Sequence, residues 1–525
     1  MGRYLNLGNA GFQSVRKGLY VDKSGLIAFM NKTLGTKDKL TCVSRPRRFG
    51  KSFATQMLCA YYDKSCNSQK LFLDLEIAGE PDFETHLNRY NVIYIDITWF
   101  ISTAKNIQDS VKYLQKEIID ELSHAFPDIN TENCSLPIVL SDISDKSGEK
   151  FIILIDEWDA FFREATEAHN LQEEYVQLLR GLFKSSQTDK MIEAAYMTGI
   201  LPIKKYGTQS ALTDFREYTM INPKKLAKYV GFTETEVRIL CQNYNMDFEE
   251  MRRWYDGYYF QKEHSIYSPN SVIEAIRNEE FGTYWTETET YENLKSYINM
   301  NMDGLKNMII AMLAGERCNI SIRRFQNDMT GMKSADDVMT LLVHLGYLAF
   351  DSAKSEVYIP NREVTDEFKN AVEGGHGGII AEMLKESEEL LKATLTGDSE
   401  LVAQRLDKVH ASNTSILEYN NENALSCVIT LAYFSAQKEY DFIREMPSGK
   451  GFADILFLPR RTTDKSPLIV ELKWNKTAKG AIEQIKERNY PDALKSFHVP
   501  ILLVGISYNK ETKHHQCLIE RYHHK

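Results

Sequence analysis

Ser44-Arg45-Pro46-Arg47-Arg48-Phe49-Gly50-Lys51-Ser52 is the stretch on which the reading of this chain turns. The apolar run Leu40-Thr41-Cys42-Val43 precedes it, and Phe53-Ala54-Thr55-Gln56-Met57-Leu58 continues from it as a helix. Gly-Lys-Ser between a strand and a helix is the working end of a phosphate-binding loop. The first helical turn presents free backbone N–H groups and the positive end of its dipole to an anion. There Lys51 reaches the outer phosphates of a nucleotide and the Ser52 hydroxyl sits on Mg²⁺. Arg45 stands where the usual loop carries its first glycine, ahead of Gly50. The motif is incomplete by itself and needs support from the rest of the chain.

That support comes from Phe151-Ile152-Ile153-Leu154-Ile155-Asp156-Glu157. A continuous apolar strand delivers an aspartate at its carboxyl end, where α/β sheets bind ligands. Asp156 is placed to hold Mg²⁺ together with Ser52, and Glu157 to orient and deprotonate an attacking water. Acidic residues also follow strands simply to cap helices, so the pair counts mainly because it occurs with Gly50-Lys51-Ser52. A further strand ends at Thr198-Gly199, where Thr198 either senses a γ-phosphate or is an ordinary turn residue.

A length of 525 residues is too great for one core. The composition, 43% hydrophobic and 26% charged, is that of a globular protein, and the net charge of −10 argues against a surface coated with basic residues. A local basic channel is compatible with that balance. The 8 cysteines show no Cys-x-x-Cys pair, which fits reduced thiols in the cytoplasm and gives no zinc spacing. The opening residues lack an apolar signal core, and no apolar run reaches membrane-spanning length, so a cytoplasmic chain without membrane contact is expected.

Strand-like runs at Leu40–Val43, Val92–Ile97, Phe151–Ile155 and Glu193–Met197 alternate with amphipathic stretches, the pattern of a parallel sheet covered by helices. From Pro223 to Ser399 the strand signal fades, and Leu305–Leu313 and Ala335–Leu345 carry helical spacing. A new unit follows: a helix over Glu422–Phe434, strands near Tyr440–Ile443, Ala453–Leu458, Leu468–Leu472 and Val499–Val504, and a helix at Ala481–Arg488. The expected fold class is therefore α/β, with a P-loop NTPase-like parallel sheet domain over 1–222, a mostly helical middle region over 223–405, and a C-terminal α/β domain over 406–525.

Ser44–Ser52, Tyr20-Val21-Asp22-Lys23, Ile155-Asp156-Glu157-Trp158-Asp159 and Met197-Thr198-Gly199-Ile200 resemble the AAA-ATPase-like family common in gut and anaerobic bacteria. The resemblance continues through Trp254-Tyr255-Asp256-Gly257-Tyr258, Tyr267-Ser268-Pro269 and Ile359-Pro360-Asn361-Arg362-Glu363. It implies that Arg45 is the family's own form of the loop. Arg45, Arg47 and Arg48 would then contact phosphate directly, alongside Gly50, Lys51 and Ser52. With Glu157 present, ATP hydrolysis rather than binding alone is expected. Trp158 replaces the family's more usual tyrosine.

In the C-terminal unit Asp454 lies near the start of one strand, and Glu471 and Lys473 lie near the end of the next. Residues two apart in a strand share a face, so Glu471 and Lys473 project together while Leu472 faces the core. Two carboxylates and a lysine make a hard-cation site suited to Mg²⁺. The arrangement resembles the PD-(D/E)XK nuclease superfamily, which implies a restriction-endonuclease-like fold for this unit. The resemblance implies that Asp454 and Glu471 bind metal, that the Leu472 carbonyl adds a ligand and that Lys473 positions water. It also assigns supporting roles to Glu422 and Gln484. Ala453 stands where a proline is usual. Ser448-Gly449-Lys450-Gly451 reads as a turn able to touch phosphate. His514, His515, His523 and His524 read as exposed surface histidines. The aromatics of Trp254–Phe260 and Trp285 are able to stack on bases, with core packing the favoured role for most of them.

Together these features point to ATP and Mg²⁺ as cofactors and nucleic acid as partner, DNA favoured over RNA, in a possible homo-oligomer. The alternative is an ATP-dependent switch or scaffold whose C-terminal domain binds nucleic acid or protein without cutting.

Overall fold

The computed structural model describes residues 2–104, 106–165, 168–203, 212–260, 265–285, 294, 296–298, 300, 302, 304–313, 315–322, 325, 332–373, 378–413, 422–448, 451–459, 465–495 and 497–523. The chain divides into two compact units, residues 1–289 with 319–366 and residues 290–318 with 367–525. The stretch 223–405 is shared between them.

The first unit is built on strands β1 (Leu40–Ser44), β2 (Asn91–Asp96), β3 (Phe151–Asp156), β4 (Ile192–Gly199) and β5 (Arg216–Tyr218). They form one sheet in the order β2-β3-β4-β1-β5, and every neighbouring pair is parallel. Alternation sends Cys42, Ile153, Ile155, Ala195 and Met197 into a core with helices α2 (Ser110–Ala125), α3 (Leu136–Ser147) and α4 (His169–Phe183). Ile152, Leu154, Ala194 and Tyr196 are equally buried on the opposite face, where helix α1 (Lys51–Tyr62) packs on β3 and β4. All six residues of β3 are buried, as expected of a strand covered on both faces.

The rest of this unit is mostly helical. Helix α5 (Glu234–Tyr244) opens with a reciprocal Thr233/Glu236 capping box, and α7 (Pro269–Asn278) opens on Pro269 after α6 (Phe248–Tyr255). Helix α8 (Ala335–Leu345) is capped in the same reciprocal way by Ser334 and Asp337. The middle motifs lock together here. Asn361 Nδ2 donates to the Asp256 carbonyl at 2.9 Å, and Glu363 accepts from Ser271 Oγ and from the Tyr284 N–H. Gly257 has φ of +120°, and a Cβ there would fall 2.0 Å from the Pro360 carbonyl oxygen, so only glycine fits.

The second unit carries helices α9 (Gly378–Thr396), α10 (Ser399–Asn413) and α11 (Glu422–Ala432) beside a mixed sheet. Its strands are β6 (Tyr440–Ser448), β7 (Gly451–Pro459), β8 (Leu468–Trp474), β9 (Ile501–Asn509) and β10 (His514–Tyr522), in that spatial order. Only the β8–β9 pair is parallel, and α12 (Ala478–Glu487) makes the crossover it requires. The tail read as surface is thus partly a buried strand. His515 is buried, and Asp407 of α10 accepts from both its backbone N–H and Nδ1 at 2.8 Å. The expectation of an exposed residue fails there, because β10 pairs along β9 and is covered by α10. His514 remains exposed, and His524 lies outside the described residues.

Among the described residues no helix is long and apolar enough to cross a membrane, and the described cysteines are free thiols.

Candidate functional site

Parallel strands bring their carboxyl ends to one edge of the sheet, and β4 lies between β1 and β3 there. Ser44 pairs in register with Gly199, and Ile155 with Met197, so the phosphate loop, Thr198 and Asp156 converge from distant parts of the chain. Gly50 precedes α1 with φ of +87°, a conformation that turns the chain sharply into the helix.

Lys51 is buried. Its Nζ donates to the Pro46 carbonyl at 3.0 Å and lies 3.3 Å from Glu157 Oε1. The second Glu157 oxygen pairs with Arg163 Nη2 at 2.6 Å. Burial alone would raise the Glu157 carboxyl, but Lys51, Arg163 and Arg47 outweigh it and hold the group below its ordinary value. Glu157 itself has φ of +51°, a strained setting for a non-glycine residue.

Asp156 shows the opposite balance. Burial raises it, and hydrogen bonds from Ser52 and Thr198 only partly offset that effect. The Thr198 hydroxyl donates to Asp156 Oδ1 and so fixes the carboxylate. The Ser52 hydroxyl and the Asp156 carboxylate, already hydrogen-bonded to each other, are two oxygen donors of the kind Mg²⁺ takes.

Two supporting residues escaped the sequence reading. Arg163, one turn beyond Asp159, bridges Glu157 and Asp159, the latter through Nε at 3.2 Å. Asp159 is buried and accepts from the N–H groups of Ile200 and Leu201, which ties the β3 turn to the end of β4. The i,i+4 spacing of Asp159 and Arg163 was the available signal.

Lys51, Ser52, Glu157 and Arg163 floor a cavity of about 600 Å³ lined also by Arg47, Arg48, Arg277 and the apolar side chains of Leu19, Val21, Phe232 and Ile273, with Asp156, Thr198 and Asp159 beneath its lining. Arg45 does not line it. The Arg45 side chain is fully buried and donates through Nη1 to the Ser44 and Tyr218 carbonyls at 2.9 and 3.0 Å. Its Nε and Nη2 have no hydrogen-bond partner, and burial lowers the guanidinium to about 10. Direct phosphate contact was expected of it; instead it ties the base of the loop to β5. The loop is held on its other side too. Phe49 packs edge-on against Tyr258 and Trp285, Arg48 donates to the Tyr284 carbonyl, and Pro46 abuts Gly346.

In the second unit, β7 and β8 bring Asp454 beside Glu471. Asp454 Oδ2 accepts from the Leu472 N–H at 2.7 Å, while the Leu472 side chain enters the core. Glu471 Oε1 accepts from Lys473 Nζ at 3.0 Å and from Gln484 Nε2 on α12. Glu471 Oε2 is buried without a hydrogen-bond partner. Burial, then repulsion from Asp454, pushes Glu471 up to about 7, against the pull of Lys473 and Arg488. A buried, unsatisfied carboxylate oxygen with a second carboxylate nearby has the donor chemistry a hard cation takes. Arg488 and its neighbour Tyr490, hydrogen-bonded to each other at 3.3 Å, were not anticipated. Glu422 begins α11, but its side chain lies outside the described residues, as do Gly449 and Lys450.

The first unit thus defines a P-loop nucleoside-triphosphatase-like parallel sheet, and the second a restriction-endonuclease-like mixed sheet, with a helical middle region. Residues 7–208 match the family described as predicted AAA-ATPase, AAA-ATPase-like, and residues 420–516 match the PD-(D/E)XK nuclease superfamily. The chain therefore carries an AAA-ATPase-like domain followed by a nuclease-superfamily domain. It is 26% identical over 294 residues to an uncharacterized protein in the vnfD 5' region of Azotobacter chroococcum mcd 1, spanning 54% of each chain. Among solved structures, the Aeropyrum pernix ORC2 protein in its ADPNP–ADP complexes aligns at 11% identity and a TM-score of 0.30, over 68% of this chain and 96% of that one. AMPPCP-bound DnaA from Aquifex aeolicus aligns at 9% identity and a TM-score of 0.28, over 70% of this chain and 93% of that one. Likenesses this distant carry nothing about function.

Proposed function

We propose that this protein binds and hydrolyses ATP, and that its nucleotide state governs Mg²⁺-dependent cleavage of phosphodiesters in nucleic acid, DNA before RNA. The observation that supports this most is the Glu157 carboxylate held between Lys51 and Arg163 on the floor of the cavity. Lys51 would exchange its contact with Glu157 for the nucleotide phosphates, with Arg47 and Arg48 beside them and the apolar wall facing the base. The carboxylate freed in this way becomes the base that orients water. Ser52 and Asp156 would hold one Mg²⁺, with Thr198 fixing Asp156; Asp454 and Glu471 would hold another. Bound there, the cation supplies charge neutralisation at phosphate and a more acidic water. Lys473 then orients the attacking water, and Gln484 holds Glu471 in place. A cytoplasmic setting and self-association belong to the same reading.

Phosphate release from ATP and cutting of labelled DNA and RNA, followed side by side in Mg²⁺, test both halves. Lys473→Ala is expected to abolish cutting and leave ATP turnover intact, and Lys51→Ala to abolish ATP turnover. A chain that turns over ATP but cuts neither duplex nor single-stranded substrates sinks the cleavage half and leaves the switch reading.

A further inference from the structure

Nine of the twelve residues of helix α1 are buried, and Phe53, in its first turn, is the one exposed residue. Its side chain is 57% exposed two positions after Lys51. An exposed apolar side chain is ordinary by itself. The place of this one is not. Of the exposed large apolar side chains among the described residues, Phe53 is the one that lines the cavity of about 600 Å³ at the phosphate loop.

The ring stands at the start of an apolar wall. Met57, one turn further along the same helix face, also lines the cavity, and its Sδ accepts from the Tyr20 hydroxyl at 3.6 Å. Val15 and Leu19 line the same space, and the helix over Ala10–Lys17 that carries Val15 packs on α1. Among the described residues Phe53 has no ring contact of its own. The cavity thus runs along one helix from the positive charge of Lys51 to the apolar surface of Phe53 and Met57. A bare phosphate chain would use the first end and leave the ring in water. A nucleotide spans both, because every base has a π-face on which an aromatic ring stacks.

We propose that Phe53 is the stacking platform for the base, so that the cavity selects a nucleoside triphosphate over a bare triphosphate chain. This rests on the nucleotide reading above and adds to it the residue that recognises the base. The test is calorimetric titration of the full chain in Mg²⁺ with the β,γ-imido analogue of ATP and with inorganic tripolyphosphate, which has no base. Phe53→Ala is expected to weaken the analogue about tenfold and leave tripolyphosphate unchanged. Phe53→Trp is expected to keep the affinity for the analogue, and its added fluorescence to be quenched by the analogue but not by tripolyphosphate. Circular dichroism should be the same for both variants and the parent. The proposal is overturned if Phe53→Ala binds the analogue as the parent does, or loses both ligands equally. A parent with the same affinity for both ligands also overturns it, while leaving the phosphate loop standing. A parent that binds neither removes the nucleotide reading and the base platform together.

Discussion

Glu157, largely buried, and Glu471, fully buried, each lie next to a lysine and a second carboxylate, yet they are driven in opposite directions. Glu157 is gripped by two cations, Lys51 and Arg163, and stays below its ordinary value despite burial. Glu471 has one close cation, Lys473, and burial with Asp454 lifts it to about 7. The balance of close cations against burial and carboxylate repulsion sets the direction. A carboxylate held ionised is ready to accept a proton from water. One held near neutrality gains most from a divalent cation, whose arrival removes the repulsion of Asp454.

The sharpest way to break the contrast is Glu157→Gln, which keeps the shape and removes the base. ATP turnover is expected to fall about 10²- to 10³-fold while nucleotide binding persists, measured by phosphate release and by equilibrium binding. The counterpart, Glu471→Gln, acts on stability. Because the folded group holds its proton to a higher pH than the unfolded one, its stabilising contribution is complete below pH ~4.5 and lost as pH rises through ~7. In EDTA the variant should therefore match the parent in acid and exceed it at pH 8, by up to about 3 kcal/mol in denaturant unfolding. Identical pH profiles for the two proteins would show that the carboxyl is not perturbed. Arg163→Ala takes one cation from Glu157, so the acid limb of the ATP-turnover profile should move up by about one pH unit. A limb that stays in place would mean Lys51 alone sets the group.

The smallest effect lies outside both sites. Asp407 is raised by burial but lowered more by its bonds to His514 and His515, so it ends below its ordinary value. Its contribution is present above the usual carboxylate range and fades as pH falls through the folded value. Asp407→Asn should cost about 1 kcal/mol near neutrality and less in acid, read from thermal unfolding.

Four strands of the first sheet were legible because each is a mostly apolar run, continuous in Phe151–Ile155. β5 was not: Arg216-Glu217-Tyr218 has no such run, and it is a strand only because β1 offers it an edge. The tail strand β10 was hidden for a similar reason, since His514-His515-Gln516 reads as solvent-exposed until α10 covers it. Lys51, Ser52, Asp156 and Glu157 were legible from motif and order. Spatial order β3-β4-β1 was not, and it explains why Thr198 reaches Asp156 rather than standing apart. Gln484 bonds Glu471 because α12 returns across β8, a contact that spacing alone does not specify. Arg45 misled for a physical reason: a guanidinium in a phosphate loop is read as facing the ligand, but its two carbonyl acceptors lie beneath.

That buried guanidinium has a consequence for ionic strength. Arg47 and Arg48 are partly exposed on the cavity wall, and added salt screens their attraction for an anion over about 8–10 Å at ordinary concentrations. Arg45 is closed off from solvent, and its hydrogen bonds go only to neutral carbonyls. Mobile ions cannot crowd around it. The affinity of the loop for nucleotide should therefore decline with salt only until the exposed arginines are masked, then level off at a residue of attraction that salt does not reach.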